Sequence, residues 1–206
     1  MNFNMDLYEK SEAKEFGEFE VLELGGHEVV IMDAREYTSE QSGKTSLKVC
    51  VDVAGKDEQA GFFKKRYEES VKSDPKSKWP NGATRYVSLA DEQIAYLKGF
   101  ITALEKSNPS FKFNLKGSWE QLKGLKCAAQ FGLEEYTKQD GTLSTVTKLT
   151  QFRSLDKLNE IQIPKVKKLD GTLVDYDDYI ESKNDSQLTN TATEIFGSES
   201  VVELPF

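Results

Sequence analysis

Aromatic and basic side chains are concentrated in one stretch of the chain, between positions 62 and 86. The stretch combines rings and cations at close spacing: Phe62, Lys64, Lys65, Arg66, Tyr67, Trp79, Arg85 and Tyr86. Aromatic faces stack on unpaired bases, at roughly 1–3 kcal/mol per base, and Lys and Arg neutralise phosphates. These residues therefore predict a binding surface for single-stranded nucleic acid with weak sequence preference. The alternatives are a core position for some of the rings and, for Trp79, a lid packed on the core.

Further candidates lie in other strand-like segments and join this surface only if the fold brings them to one groove. They are again cationic or aromatic: Arg35, Tyr37, Lys48, Tyr136, Lys138, Phe152 and Arg153. The alternation of side chains places Arg35 and Tyr37 opposite Val30 and Met32, and Lys48 opposite its apolar neighbours. Each of these residues, taken singly, is equally compatible with an ordinary surface position.

The C-terminal end of the chain carries a different signal. Positions 170–206 hold nine acidic residues and one base, whereas positions 1–169 hold 26 of each, so the net charge of −8 belongs to this tail. The last four residues, Glu203, Leu204, Pro205 and Phe206, combine a proline-stiffened backbone, an aromatic ring and a carboxylate. Such an end suits a hydrophobic pocket rimmed by Lys or Arg. We therefore predict a partner-docking tip, with a frayed apolar end as the alternative.

Hydrophobic periodicity predicts a mainly β fold. Alternating apolar residues indicate two strands on either side of a polar loop at 42–44, and 62–67 is interpreted as a third strand. Asp91 is placed to cap a helix that ends before Pro109, since the apolar residues between them recur at spacings of three and four.

A β-hairpin is predicted after this helix. One strand runs through Phe131, the polar run 137–141 turns the chain, and 142–152 returns. The resulting order, with one helix between the third and fourth strands, is that of a five-stranded OB barrel.

Length and composition indicate one folded domain with appendages. We expect an N-terminal arm at 1–24, an OB-fold binding domain at 25–170 and an acidic, largely disordered tail at 171–206. The sequence shows neither an apolar run that could span a membrane nor a signal-peptide pattern at its start. Cys50 and Cys127 are predicted to be buried free thiols, and His27 a surface residue at a strand entry.

Two resemblances agree with these predictions. The tip resembles that of bacterial single-stranded-DNA-binding proteins, in which an acidic tail ends in Ile/Leu-Pro-Phe and recruits replication and repair enzymes. Serine and valine dilute the acids at 198–202, which predicts weaker docking here. Residues 25–170 resemble phage and prophage proteins of Gram-positive bacteria that are thought to be OB-fold binders of single-stranded DNA. The resembling stretches are KGFITALEKSNP at 98–109, LKGLK at 122–126 and IPKVK at 163–167.

The resemblances imply a non-enzymatic protein of phage DNA replication or recombination, located in the cytoplasm of a bacterial host. Single-stranded DNA and replication or recombination proteins would be its partners, and a homodimer would lengthen its footprint. We expect no catalytic residue, metal or cofactor, because the sequence lacks a phosphate-binding loop, paired histidines and a nucleophile elbow. The alternatives are a recombination mediator that anneals strands, a metal-dependent nuclease and a structural phage component.

Overall fold

The computed structural model describes residues 20–184 and is mainly β. Seven strands form one sheet: β1 (Gly25–Thr38), β2 (Thr45–Val53), β3 (Thr84–Ser88), β4 (Lys126–Thr137), β5 (Leu143–Arg153), β6 (Val166–Lys167) and β7 (Leu173–Val174). The helices are α1 (Phe62–Ser73), α2 (Ile94–Ser107) and α3 (176–184), with short 3₁₀ helices at Asn81–Ala83, Asp91–Gln93, Trp119–Leu122 and Leu155–Glu160. None of the helices within 20–184 is long and apolar enough to cross a membrane.

The first two strands form the predicted hairpin, but a bulge changes which side of β1 faces the core. Val29, Ile31 and Ala34 are buried, because the register with β2 shifts between Ile31 and Asp33. One extra residue reverses the alternation of side chains along a strand. Val30 therefore lies on the same side as Arg35 and Tyr37, and the prediction that it lies opposite them is wrong.

The segment 62–67 is the start of helix α1, so the predicted third strand is wrong there. Phe62 and Phe63 enter the core, where the Phe63 ring stacks on Phe131 with centroids 5.6 Å apart. The buried Asp52 of β2 supplies the cap: its Oδ1 accepts the backbone N–H groups of Phe63 and Lys64 at 3.0 and 3.3 Å. A carboxylate at this position satisfies donors that the first turn leaves free and complements the helix dipole.

The third strand, β3, follows in 84–88, and the predicted order of five strands with a helix after the third is otherwise found. Helix α2 confirms the predicted one, although Asp91 begins a 3₁₀ turn before it and does not cap it by its side chain. Phe100 and Leu104 of α2 are buried in the core.

The sheet is open and does not close into the predicted five-stranded barrel. The strand order is β3-β2-β1-β4-β6-β7, and β5 pairs with β4 outside this path. Strands β3 and β5 approach each other, but no hydrogen-bonded ladder joins them in the described residues. The line along which β3 and β5 approach each other, called here the seam, leaves little space at Gly82. An added Cβ there would lie 2.5 Å from the backbone oxygen of Thr147. Glycine is therefore required at the point where the chain enters β3.

The β4–β5 hairpin is confirmed, and its turn at 138–141 is closed by backbone hydrogen bonds and a glycine with positive φ. Both cysteines are free and buried as predicted, and burial raises the pKa of the Cys127 thiol to about 12. His27 is also buried, which corrects its predicted surface position. Its ring contacts the Asp57 carboxylate at 2.9 Å and the Glu23 carbonyl oxygen at 3.0 Å.

The folded region is longer at both ends than the predicted binding domain of 25–170. Leu22 of the predicted arm lies in the core. After β5 the chain passes over the outer side of the β1–β4 pair, the side that faces away from the core. The Pro164 ring there fills the space that a Cβ on Gly132 would occupy. Strands β6 and β7 and helix α3 then follow, so 171–184 is folded and not disordered as predicted. The remaining tail at 185–206 lies outside the described residues.

Candidate nucleic-acid interface

Strands β1, β2 and β3 present one face that does not pack on the core. Arg35 pairs with Lys48, and Lys48 pairs with Tyr86 across the three strands. Two residues further on, Tyr37 pairs with Ser46 and Ser46 pairs with Ser88. Directly paired residues in antiparallel strands share a side of the sheet. The two rows therefore form one surface, called here the β1–β2–β3 face, made of Arg35, Tyr37, Ser46, Lys48, Tyr86 and Ser88.

Two tyrosine rings form the centre of this face. Tyr37 and Tyr86 have centroids 5.3 Å apart at an interplanar angle of 53°, and they are 43% and 44% exposed. Burial, the nearby Tyr37 and Cys50 raise the pKa of Tyr86 above its usual value, although Arg35 opposes the shift. Both rings keep part of their surface open to solvent, so a planar ligand has access to them.

The cations of the face lie beside these rings. Arg35 is exposed and forms an ion pair with Asp33, with 3.3 Å between its Nε and the carboxylate. Lys48 is half-buried and has no ion-pair partner within the described residues. An exposed ion pair contributes little, with a median of about 0–1 kcal/mol, so Arg35 is available to exchange Asp33 for a phosphate. The face therefore combines stacking surface with positive charge, as single-stranded nucleic acid requires.

The residues predicted on the segment from 62 to 79 do not reach the β1–β2–β3 face as a group. Phe62 is only 2% exposed and is the wrong choice for a stacking residue, because its ring belongs to the core. Lys64, Lys65 and Arg66 are exposed on α1, where the Arg66 guanidinium lies 5.1 Å from the centre of the Phe62 ring.

Trp79 packs as a lid, the alternative to a free stacking position. Its Nε1–H donates to the Val51 backbone oxygen at 3.1 Å, and its ring lies 5.2 Å from that of Tyr67. Both rings are half-buried. Trp79 therefore covers the last residues of β2, beyond the segment Ser46–Cys50 that pairs with β3. The hydrogen bond fixes Trp79 against the sheet and leaves it a secondary candidate.

Register separates the remaining predicted residues from the tyrosine pair. Arg85 pairs with the inward Val49 and so lies on the opposite side of β3 from Tyr86. Tyr136 and Lys138 are exposed at the hairpin tip, which extends past the Gly25 end of β1 and away from Tyr37.

The end of β5 is also separate from the tyrosine pair. Phe152 is half-buried and packs on Phe100 with ring centroids 4.5 Å apart, so its ring is engaged with the core side of the sheet. Arg153 is exposed and donates a hydrogen bond to Gln151 on its own strand. It pairs with Ala128 near the end of the hairpin and is not part of the β1–β2–β3 face.

Sequence reasoning missed the small polar members of the face and its acidic neighbour. Ser46 and Ser88 lie between the aromatic positions, and Asp33 neutralises part of the charge of Arg35. The alternation of β2 contained the signal for Ser46, which is two residues before Lys48. Ser88 was missed because β3 itself was not predicted.

The remaining observations concern metal binding, the docking tip and the comparison with known proteins. No group of three or more His, Cys, Asp or Glu residues is placed to hold a metal ion in the part that the structure describes. The predicted docking tip at 203–206 lies outside that part. Comparison of the sequence with protein-family models and with curated proteins gives no match.

Proposed function

We propose that this protein binds single-stranded DNA on the β1–β2–β3 face. The observation that carries the proposal is the exposed Tyr37–Tyr86 pair, held in register with Arg35 and Lys48 on three adjacent strands. The order of the first five strands, with α2 after β3, supports an OB-type fold that is left open at the seam. In OB folds the surface around strands 2 and 3 is the usual site for oligonucleotides.

The chemistry of the face favours a single strand over a duplex. Base faces are accessible to tyrosine rings only when the bases are not stacked in a helix. Lys48 and Arg35 lie beside the rings, where the phosphates of a strand stacked on them would pass. Rings and phosphates are common to every nucleotide, so these contacts provide affinity with little sequence discrimination.

The rest of the sheet supports the choice of this face. The side of the β1–β4 pair away from the core is covered by the chain at 158–164: Leu158 and Ile161 lie against Gly26, and Pro164 lies against Gly132. Helix α3 is attached to β4 through Tyr179. The tyrosine-bearing end of β1, β2 and β3 has no such cover among the described residues.

The tail completes the proposal. An acidic segment that ends in Leu204, Pro205 and Phe206 would hold a replication or recombination protein close to DNA bound on the sheet. The chain leaves the described fold after α3, whose Tyr179 and Lys183 contact Glu135 on β4. Helix α3, which precedes the tail along the chain, therefore lies on the β4 side of the sheet.

Fluorescence anisotropy of a labelled dT oligomer tests the binding surface. Wild-type protein should bind with an affinity that falls as salt rises, because cations are released from the DNA. Tyr37→Ala and Tyr86→Ala should each weaken binding by roughly fivefold or more, since a stacked base contributes about 1–3 kcal/mol. The matched control is Tyr96→Ala, because Tyr96 is 75% exposed on α2, outside the face.

The control variant should bind as the wild type does. Equal loss in all three variants would indicate a nonspecific effect and would overturn the assignment of the face. Absence of salt-sensitive binding by the wild-type protein would overturn the function itself. Circular dichroism of each variant establishes that the sheet is retained.

A further inference from the structure

A recess opens beside Ser88, at the end of the β1–β2–β3 face. Its volume is about 520 Å³, and Lys44, Ser88, Leu89, Glu92 and Gln93 are among the residues that line it. This volume is within the range of small-ligand sites, roughly 300–1,000 Å³. Ser88 is two residues after Tyr86 on the same side of β3, a separation of roughly 7 Å along a strand. A strand whose base stacks on Tyr86 therefore brings its neighbouring nucleotide to this recess.

Two charged side chains that line the recess have no hydrogen-bond or ion-pair partner among the described residues. Neither the Lys44 ammonium nor the Glu92 carboxylate forms a hydrogen bond or ion pair within residues 20–184. Leu89 is half-buried and provides an apolar wall. The recess thus offers an apolar contact, a two-oxygen acceptor and a cationic donor.

We infer that this recess is a base-reading subsite that prefers guanine, and this inference rests on the proposed function. Glu92 would accept hydrogen bonds from guanine N1–H and N2–H, while Lys44 donates to O6. Unpaired bases expose their Watson–Crick edges to such contacts. Hydrogen bonds to ionised groups are roughly twice as strong as neutral ones, and a bidentate pair adds geometric selectivity.

The chemistry of the four bases explains why the preference is for guanine. Guanine alone has two adjacent donors on its Watson–Crick edge. Adenine and cytosine each place an acceptor beside the amino group, and thymine places a carbonyl oxygen on each side of N3–H. The second oxygen of a carboxylate is repelled in those three cases. The β1–β2–β3 face provides general affinity, and the recess adds a modest selectivity.

The test compares three labelled oligomers of equal length, dT12, d(TTG)4 and d(TTI)4, where I is deoxyinosine. Deoxyinosine keeps N1–H and O6 but lacks the N2 amino group. Wild-type protein should bind d(TTG)4 about five- to tenfold more tightly than dT12, the lower part of the range for a good bidentate pair. Most of this advantage should be lost with d(TTI)4.

Glu92→Gln should reduce the ratio of d(TTG)4 to dT12 affinity to about one, because an amide has a single acceptor oxygen. Asp91→Asn removes the same charge next to the recess and should keep the wild-type ratio. A wild-type ratio near one, or an unchanged ratio in Glu92→Gln, would overturn the guanine subsite. If dT12 still binds in a Tyr86-dependent manner, the proposed function survives that outcome. No binding to any oligomer would refute both.

Discussion

Tyr37 and Tyr86 show how strand register brings residues that are distant in sequence together on the proposed binding surface. The two tyrosines are 49 positions apart, yet Lys48 pairs with Tyr86 and also with Arg35, two positions before Tyr37. The rings contact each other in a tilted geometry at a distance where aromatic pairs attract. This contact restrains both side chains, so a base that stacked on them would cost less side-chain entropy.

Another single residue, Asp52, determines the placement of α1. Its Oδ1 accepts backbone N–H groups from Val53, Phe63 and Lys64, and the side chain is buried at the end of β2. Helix α1 has no side-chain cap of its own, since residue 61 is glycine. The first turn of the helix therefore depends on a carboxylate from a neighbouring strand.

Replacing Asp52 with alanine should lower the free energy of unfolding by about 2–3 kcal/mol, because hydrogen bonds to a charged group are lost and buried donors stay unpaired. Urea denaturation measures this loss. The control is Asp33→Ala, which removes only an exposed ion pair and should change stability by less than about 0.5 kcal/mol. A comparable effect of both substitutions would contradict the capping role.

At the scale of elements, the carboxylate of Glu135 joins helix α3 to the sheet. Glu135 of β4 accepts hydrogen bonds from the Tyr179 hydroxyl at 2.9 Å and the Leu169 backbone N–H at 3.1 Å, and it pairs with Lys183. Burial alone would raise the pKa of Glu135, but these three donors outweigh it, and the pKa lies below its usual value. The ionised form is therefore the one that holds α3 in place.

The free energy of unfolding should depend on pH through the ionisation of Glu135. A carboxyl whose pKa is lowered by folding stabilises the fold above its unfolded value, and the contribution disappears as pH falls through the folded value. Glu135→Gln should therefore lower the free energy of unfolding by about 1–2 kcal/mol at pH 7. The difference from wild type should shrink towards zero at pH 3. A difference that stays constant between these two pH values in urea titrations would contradict the role of Glu135.

The elements that sequence analysis predicted correctly are those with long, regular patterns. The β1–β2 and β4–β5 hairpins and α2 repeat their apolar spacing over many residues. The short segment 62–67 does not by itself indicate a helix, because its aromatic and basic side chains follow neither a strand period nor a helical period clearly. The wider window shows Phe63, Tyr67 and Val71 four residues apart, which is a helical spacing.

Two features of the candidate site were beyond reach of a single sequence. The bulge at Met32 has no local signature, and it decides which β1 side chains face the core. The pairing of Lys48 with Tyr86 required β3, a strand of only five residues. The residue types of the proposed site were therefore apparent from the sequence, whereas their assembly on one face depended on register.

At the scale of the whole molecule, the sheet has two different outer regions. The region around the β1–β4 pair is occupied by the chain from 158 to 179, which reaches β4 through Tyr179. The region around β1, β2 and β3 remains open and carries the tyrosine pair. The acidic residues that give the protein its net charge begin at 170, after the strands of this face. Overall negative charge is thus compatible with binding of an anionic ligand.

Photocrosslinking tests the central claim most directly. A dT oligomer with 5-iododeoxyuridine substituted at single positions is irradiated with the full-length protein, and adducts are located by mass spectrometry. Binding on the β1–β2–β3 face predicts that the main adducts fall on Tyr37 and Tyr86 and that excess unlabelled dT removes them. Adducts confined to Tyr67, Trp79 or Tyr136, with none on Tyr37 or Tyr86, would show that the strand binds elsewhere.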